Sequence, residues 1–193
     1  MIYCCKVTEN IDTVKSAYSL CDAKRRAKSD RIADERKRAL SITAGLLLRY
    51  CLFKNGVDSH NIKYHENGKP YVEDEDLFFS LSHSGEYAAC VTSSKPVGID
   101  IQQIVEIKDR TLSRFCTANE LEYLRLSNDS KLDAIRFWAL KESYLKASGC
   151  STNQAFCAEF EICGNKIAKA PCGYSFELLD DIEGYVLAVC YAV

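Results

Sequence analysis

Asp100 and Glu142 stand 42 positions apart, and Lys146 follows Glu142 by one helical turn. The first lies in Val97-Gly98-Ile99-Asp100-Ile101-Gln102. The other two lie in Phe137-Trp138-Ala139-Leu140-Lys141-Glu142-Ser143-Tyr144-Leu145-Lys146. Brought together, two carboxylates and an ammonium suit a divalent cation, a phosphate and a proton transfer. Magnesium keeps several waters and takes one or two carboxylates plus substrate phosphates. Asp100 and Glu142 would supply that count. Read singly, each residue also has a structural reading. Glu142 and Lys146 form a surface i, i+4 pair worth roughly a few tenths of a kcal/mol, and Asp100 caps a nearby group. Trp138 shares their helical stripe, and so large a side chain is seldom left on a fully solvated one.

These residues need a strand and a helix to hold them. The apolar run around Asp100 reads as a buried strand over 97–101, set off by Lys95-Pro96. A helix is expected over 131–147, closed by Ser148-Gly149, with Leu140, Tyr144 and Ala147 toward the core and Lys141 about 100° around from Glu142. Thr117-Ala118-Asn119-Glu120 is a capping box that opens a helix through Leu126. Strands follow near 156–162, 174–179 and 184–191. The first half has the same ingredients. A strand covers 2–8, and a helix spans 34–54 with Leu40, Ala44, Leu47, Leu48 and Cys51 on one face, stopped by Asn55-Gly56. A hairpin covers 62–73, turned at Glu66-Asn67-Gly68. Strands at 78–81 and 87–92 flank a loop at 82–85. The expected fold is α+β, with two similar subdomains, 1–95 and 96–193, in pseudo-twofold relation. Each is a small antiparallel sheet packed with a long helix.

The 193 residues are 47% hydrophobic and 27% charged, enough for a packed core. A net charge of −2 gives no global argument for nucleic acid or membrane. No stretch approaches the ~20 apolar residues of a membrane span, and the first residues do not read as a signal peptide. Eleven cysteines form an odd set with no CxxC. Cys4, Cys51, Cys90, Cys157 and Cys190 sit in apolar surroundings and are expected to be small buried hydrophobes. The spacing of Cys150, Cys157, Cys163 and Cys172 matches no zinc pattern. A reducing cytosol is the expected compartment.

Gly98-Ile99-Asp100, followed by Trp138-Ala139-Leu140-Lys141-Glu142-Ser143-Tyr144-Leu145-Lys146, resembles the two signature motifs of 4′-phosphopantetheinyl transferases. Those motifs are G-[IV]-D and, some forty residues on, W-x-x-K-E-[AS]-x-x-K. Upstream, Gly68-Lys69-Pro70 and Phe79-Ser80-Leu81-Ser82-His83-Ser84 resemble two further family segments. Length and two-subdomain plan are similar to the larger, Sfp-like branch. The resemblance implies transfer of the phosphopantetheine arm of coenzyme A to a serine of an apo acyl, peptidyl or aryl carrier protein, with release of adenosine 3′,5′-bisphosphate. It implies Mg²⁺, with Mn²⁺ as the alternative, held by Asp100 and Glu142. Glu142 would take the serine proton, and Lys146 would stabilise or protonate the leaving phosphate. Lys69, Ser82 and His83 would hold the adenosine end, chiefly its 3′-phosphate. Phosphoryl transfer leaves a protein mainly positioning and charge neutralisation to do, which agrees with this cast.

Residues 24–38 carry eight basic side chains against three acidic ones. They read either as a solvated helical face or as a positive rim for coenzyme A or an acidic carrier protein. Arg25, Lys28 and Ser41 stand near family positions that touch coenzyme A. One departure concerns the metal. Family members often have Glu two residues after the Asp, where this chain has Gln102, a neutral ligand acting directly or through water. Ser80 replaces the usual Asn. A catalytically silent binder of coenzyme A or carrier protein, and a plain interaction module, are the competing readings. With both subdomains in one chain, the site is expected to form in a monomer.

Overall fold

The computed structural model describes residues 1–7, 11–58, 62–65, 68–73 and 76–193. The chain divides into two compact units, Met1–Ser94 and Lys95–Val193. The fold is α+β.

In the first unit the organising element is the long helix α3. Two shorter helices precede it, α1 (Ile11–Ser16) and α2 (Ala23–Asp30), and α3 itself runs Glu35–Lys54. The Asp34 side chain caps α3 by accepting from the Lys37 amide at 2.9 Å. Asn55 ends it, and Gly56 takes a positive φ of 75° just beyond. The face read from the sequence is the one buried: Leu40, Ala44, Leu47, Leu48 and Cys51 join one core with Phe79, Ala88 and Cys90. Those last three belong to an antiparallel sheet of β1 (Ile2–Lys6), β4 (Phe78–Ser84) and β5 (Tyr87–Ser93), in the order β1-β5-β4. A separate hairpin pairs β2 (Ile62–Tyr64) with β3 (Pro70–Val72). Of its expected turn, Glu66 and Asn67 lie outside the described residues, and Gly68 has φ 82°.

One expectation changes here. The loop placed at 82–85 is mostly strand, because Ser82, His83 and Ser84 continue β4 and pair with Ala89, Ala88 and Tyr87. Only Gly85 and Glu86 turn the chain, Gly85 at φ 55°, and a two-residue hairpin turn lets both strands run to its edge. The basic segment 24–38 spans two helices. The α2 helix stops at Asp30, and a new cap at Asp34 starts α3.

The second unit repeats this internal topology. Strands β6 (Val97–Gln103), β9 (Tyr174–Leu179) and β10 (Tyr185–Ala192) form an antiparallel sheet in the order β6-β10-β9. As in the first unit, the earliest strand pairs with the last, and the last is central. The helices are α4 (Asp109–Phe115), α5 (Ala118–Leu126), α6 (Ser130–Ser148) and α7 (Thr152–Cys157), and a hairpin joins β7 (Glu161–Cys163) to β8 (Lys166–Lys169). The Thr117 capping box forms as read, and Gly149 closes α6 with φ 67°. Phe115, Phe137, Leu140, Phe160, Val186 and Ala188 build the core between α6 and the sheet. The strand expected from 156 is corrected. Ser151 and Gln154 form a second capping box that makes α7, so Phe156 and Cys157 are helical and the strand starts at Glu161.

All eleven cysteines are free thiols. Cys51, Cys90 and Cys190 are buried as expected, but Cys4 and Cys157 are exposed. Cys4 is on the outward face of a strand and Cys157 is at a helix end, where apolar sequence neighbours do not guarantee cover. Among the described residues no helix is long and apolar enough to cross a membrane.

Candidate active site

The glycine of Gly98-Ile99-Asp100 sets how closely β6 and α6 approach. A Cβ at Gly98 would stand 2.0 Å from the Ser143 carbonyl oxygen and 2.6 Å from the Ala147 amide nitrogen. Only a residue without one lets the strand lie directly on the helix backbone. Strand alternation then puts Gly98, Asp100 and Gln102 on one face, and the helix brings Lys146 to it.

Asp100 is 2% exposed. One of its oxygens accepts from the Lys146 ammonium at 2.7 Å, and the other from the Gln102 amide at 2.9 Å. Lys146 also donates to the Ile99 carbonyl at 2.9 Å. Glu142, half-buried on the preceding turn, lies close enough for Asp100 and Lys146 to act on it. Burial pushes its carboxyl above the ordinary value, the charge of Asp100 pushes the same way, and Lys146 pulls back. The four sequence candidates Asp100, Gln102, Glu142 and Lys146 are therefore one cluster. Two carboxylates face one ammonium, and that surplus of negative charge fits a hard divalent cation. Among the described residues no group of three or more His, Cys, Asp or Glu gathers to hold a metal. The Asp100 and Glu142 pair has two acids, with Gln102 where a third would be.

Trp138 does not stand beside this cluster as a solvent-facing platform. It packs edge-on against Phe115 at 4.8 Å and tilts against Phe156 at 5.8 Å. Lys141, one residue before Glu142, is fully buried. Its ammonium pairs with the equally buried Glu120 at 2.8 Å and donates to the carbonyls of Phe156 at 2.8 Å and Ala158 at 2.7 Å. The sequence carried a signal for this, because Lys141 falls on the helical stripe of Ala134, Phe137 and Tyr144, where an apolar residue is expected.

The remaining candidates belong to the first unit. Lys69 immediately precedes β3 and is half-buried. Ser82 and His83 are successive residues of β4, so they point to opposite faces. Ser82 is buried and His83 exposed. Arg25 and Lys28 share α2. Partial desolvation, and then the neighbouring Arg25 charge, hold the Lys28 amine below its usual value. The Arg25 stem lies over α3 at Gly45, where a Cβ would come within 2.7 Å of it. Ser41 is turned inward, 1% exposed, and accepts from the Ser29 hydroxyl at 2.9 Å. It joins α2 to α3 and presents no hydroxyl to solvent.

Comparison with known proteins agrees with this geometry. The family model described as the 4′-phosphopantetheinyl transferase superfamily matches residues 96–190, the stretch that holds β6, α6 and β10. The 4′-phosphopantetheinyl transferase HetI of Nostoc is 31% identical over 172 residues, covering 82% of this chain and 72% of that protein. The 4′-phosphopantetheinyl transferase Sfp of Bacillus subtilis is 30% identical over 147 residues, 70% of this chain and 66% of that protein. The 4′-phosphopantetheinyl transferase gsp of Aneurinibacillus migulanus is 38% identical over 114 residues, 56% of this chain. The match spans about half, 48%, of the gsp protein's own length. The chain belongs to the 4′-phosphopantetheinyl transferase superfamily, on its Sfp-like branch.

Proposed function

We propose that the chain moves the 4′-phosphopantetheine arm of coenzyme A onto a serine hydroxyl of an apo carrier protein, releasing adenosine 3′,5′-bisphosphate. The observation that carries this reading is the cluster on β6 and α6, with Lys146 bound to Asp100 at 2.7 Å and Glu142 on the turn before it.

Each group has a task. Glu142 accepts the proton of the incoming serine hydroxyl. Lys146 sets a positive charge against the pyrophosphate and offsets the charge that builds on the leaving phosphate. Asp100 orients Lys146, and Gln102 orients Asp100. Asp100 and Glu142, with Gln102 directly or through water, would hold Mg²⁺ or Mn²⁺, which when bound neutralises phosphate charge and acidifies a nearby hydroxyl. Lys69, His83, Arg25 and Lys28 are proposed to hold the phosphates of the adenosine end. Ser82, beside His83 on β4, belongs to the same proposed set, and buried Ser41 ties α3 to α2. The eleven free thiols suit a reducing cytosol, and a monomer is the proposed working form.

Incubation of the chain with coenzyme A, Mg²⁺ and a panel of apo carrier proteins tests the reading. Mass spectrometry should show a gain equal to the phosphopantetheine arm on a carrier serine. Coenzyme A binding with no gain on any carrier would assign the chain to a silent binder instead.

A further inference from the structure

Lys141 and Glu120 form a fully satisfied ion pair in the interior of the second unit, both 0% exposed at the side chain. All three donors of the ammonium are used, on Glu120, the Phe156 carbonyl and the Ala158 carbonyl, at 2.7 to 2.8 Å. The carboxylate is equally committed. One oxygen accepts from the Phe160 amide at 3.0 Å, and the other accepts from the Thr117 amide at 2.8 Å besides Lys141. The network therefore ties α6 to the start of α5 and to the chain between the end of α7 and Phe160.

Such a pair does not explain itself by stability. Moving two charges out of water costs about what their attraction returns, and well-packed apolar residues of similar volume do as well or better. Its geometry is more telling. Lys141 is the residue before Glu142, so the two side chains leave α6 about 100° apart. On one side α6 is fixed by Gly98 against Ser143 and Ala147 and by Lys146 on Asp100. On the other side, three directional bonds at a single ammonium fix its rotation and its slide. An apolar contact tolerates small rotations, and three hydrogen bonds do not.

We propose that the Glu120–Lys141 pair is the positioning device for Glu142. It sets the rotation of α6 so that this carboxylate, and Lys146 one turn on, meet Asp100 in working register. Neither Glu120 nor Lys141 touches substrate. The inference rests on the transferase reading above and on the role that reading gives Glu142.

The test is the double variant Glu120→Leu with Lys141→Met, which removes both charges and leaves none buried alone. The expected result has four parts. The melting temperature returns near that of the wild type, while Lys141→Met alone melts far lower. The kcat for carrier modification falls at least about 10-fold, since small misplacements of catalytic groups are costly. The KM for coenzyme A is unchanged. The Mn²⁺ concentration that half-saturates the chain in the presence of coenzyme A, read by electron paramagnetic resonance, rises. Glu120→Gln, a milder change of the same shape, should move kcat and the Mn²⁺ midpoint in the same direction by less, and it serves if the double variant does not fold. A folded double variant, or in its place Glu120→Gln, with wild-type kcat and Mn²⁺ midpoint overturns the proposal and leaves the pair a role in folding only. If the wild type modifies no carrier, the transferase reading fails on its own. The positioning claim is then decided by the metal titration, where equal binding by wild type and variant, including none by either, overturns it.

Discussion

Glu142 is the residue on which the proposed chemistry turns. Glu142→Gln keeps the shape and removes the proposed base. Carrier modification should fall by about three orders of magnitude or more, within the range for a general base and metal ligand combined, while isothermal titration still detects coenzyme A binding. Wild-type turnover in that variant removes Glu142 from the mechanism. Gln102 invites the opposite change. Its amide now donates to Asp100, and Gln102→Glu exchanges that donor for a third acid in the cluster. The variant should stay active and reach half-maximal rate at lower Mg²⁺, and a higher requirement would rule out ligation from position 102. The residue types in the motif made Asp100, Glu142 and Lys146 legible in the sequence. The burial of Ser41 and the opposed directions of Ser82 and His83 were not, because they depend on how α2 packs on α3 and on β4 running on to Ser84.

At the scale of elements, the closest constraint is β6 on α6. Gly98→Ala should cost at least about 3 kcal/mol, because the new Cβ would meet backbone atoms that cannot swing aside. Chemical denaturation of the variant checks this, and an unchanged midpoint would mean that α6 shifts more easily than the contact implies. Lys141→Met alone should cost about 3–5 kcal/mol by stranding Glu120 in the core. Most elements could be read in advance, because periodicity and caps agree in them: α3 with Asp34 and Asn55, α5 with its capping box, α6 with Gly149. The errors share a cause. The α7 helix is one short turn sequence carried by its Ser151 cap. The Lys141–Glu120 bond joins residues 21 apart, and local pattern shows only the capping half of what Glu120 does.

Across the whole molecule, the cysteines divide by place rather than by sequence. Burial pushes the Cys116 and Cys190 thiols up to about 12, so at pH 8 almost none of either is thiolate. Brief iodoacetamide treatment of the native protein at pH 8 should label Cys4, Cys157, Cys163 and Cys172 and spare Cys21, Cys51, Cys90, Cys116 and Cys190. Peptide mapping reads the pattern, and rapid labelling of Cys190 would contradict the core described for β10. The two units also share an order of assembly. In each, the strand made last is the one the other two pair with, β5 in the first and β10 in the second. During synthesis, β6 and β9 have no common partner until Tyr185–Ala192 leaves the ribosome. A chain stalled just short of that point displays two open strand edges. A chain terminated just before Tyr185 should therefore yield insoluble product.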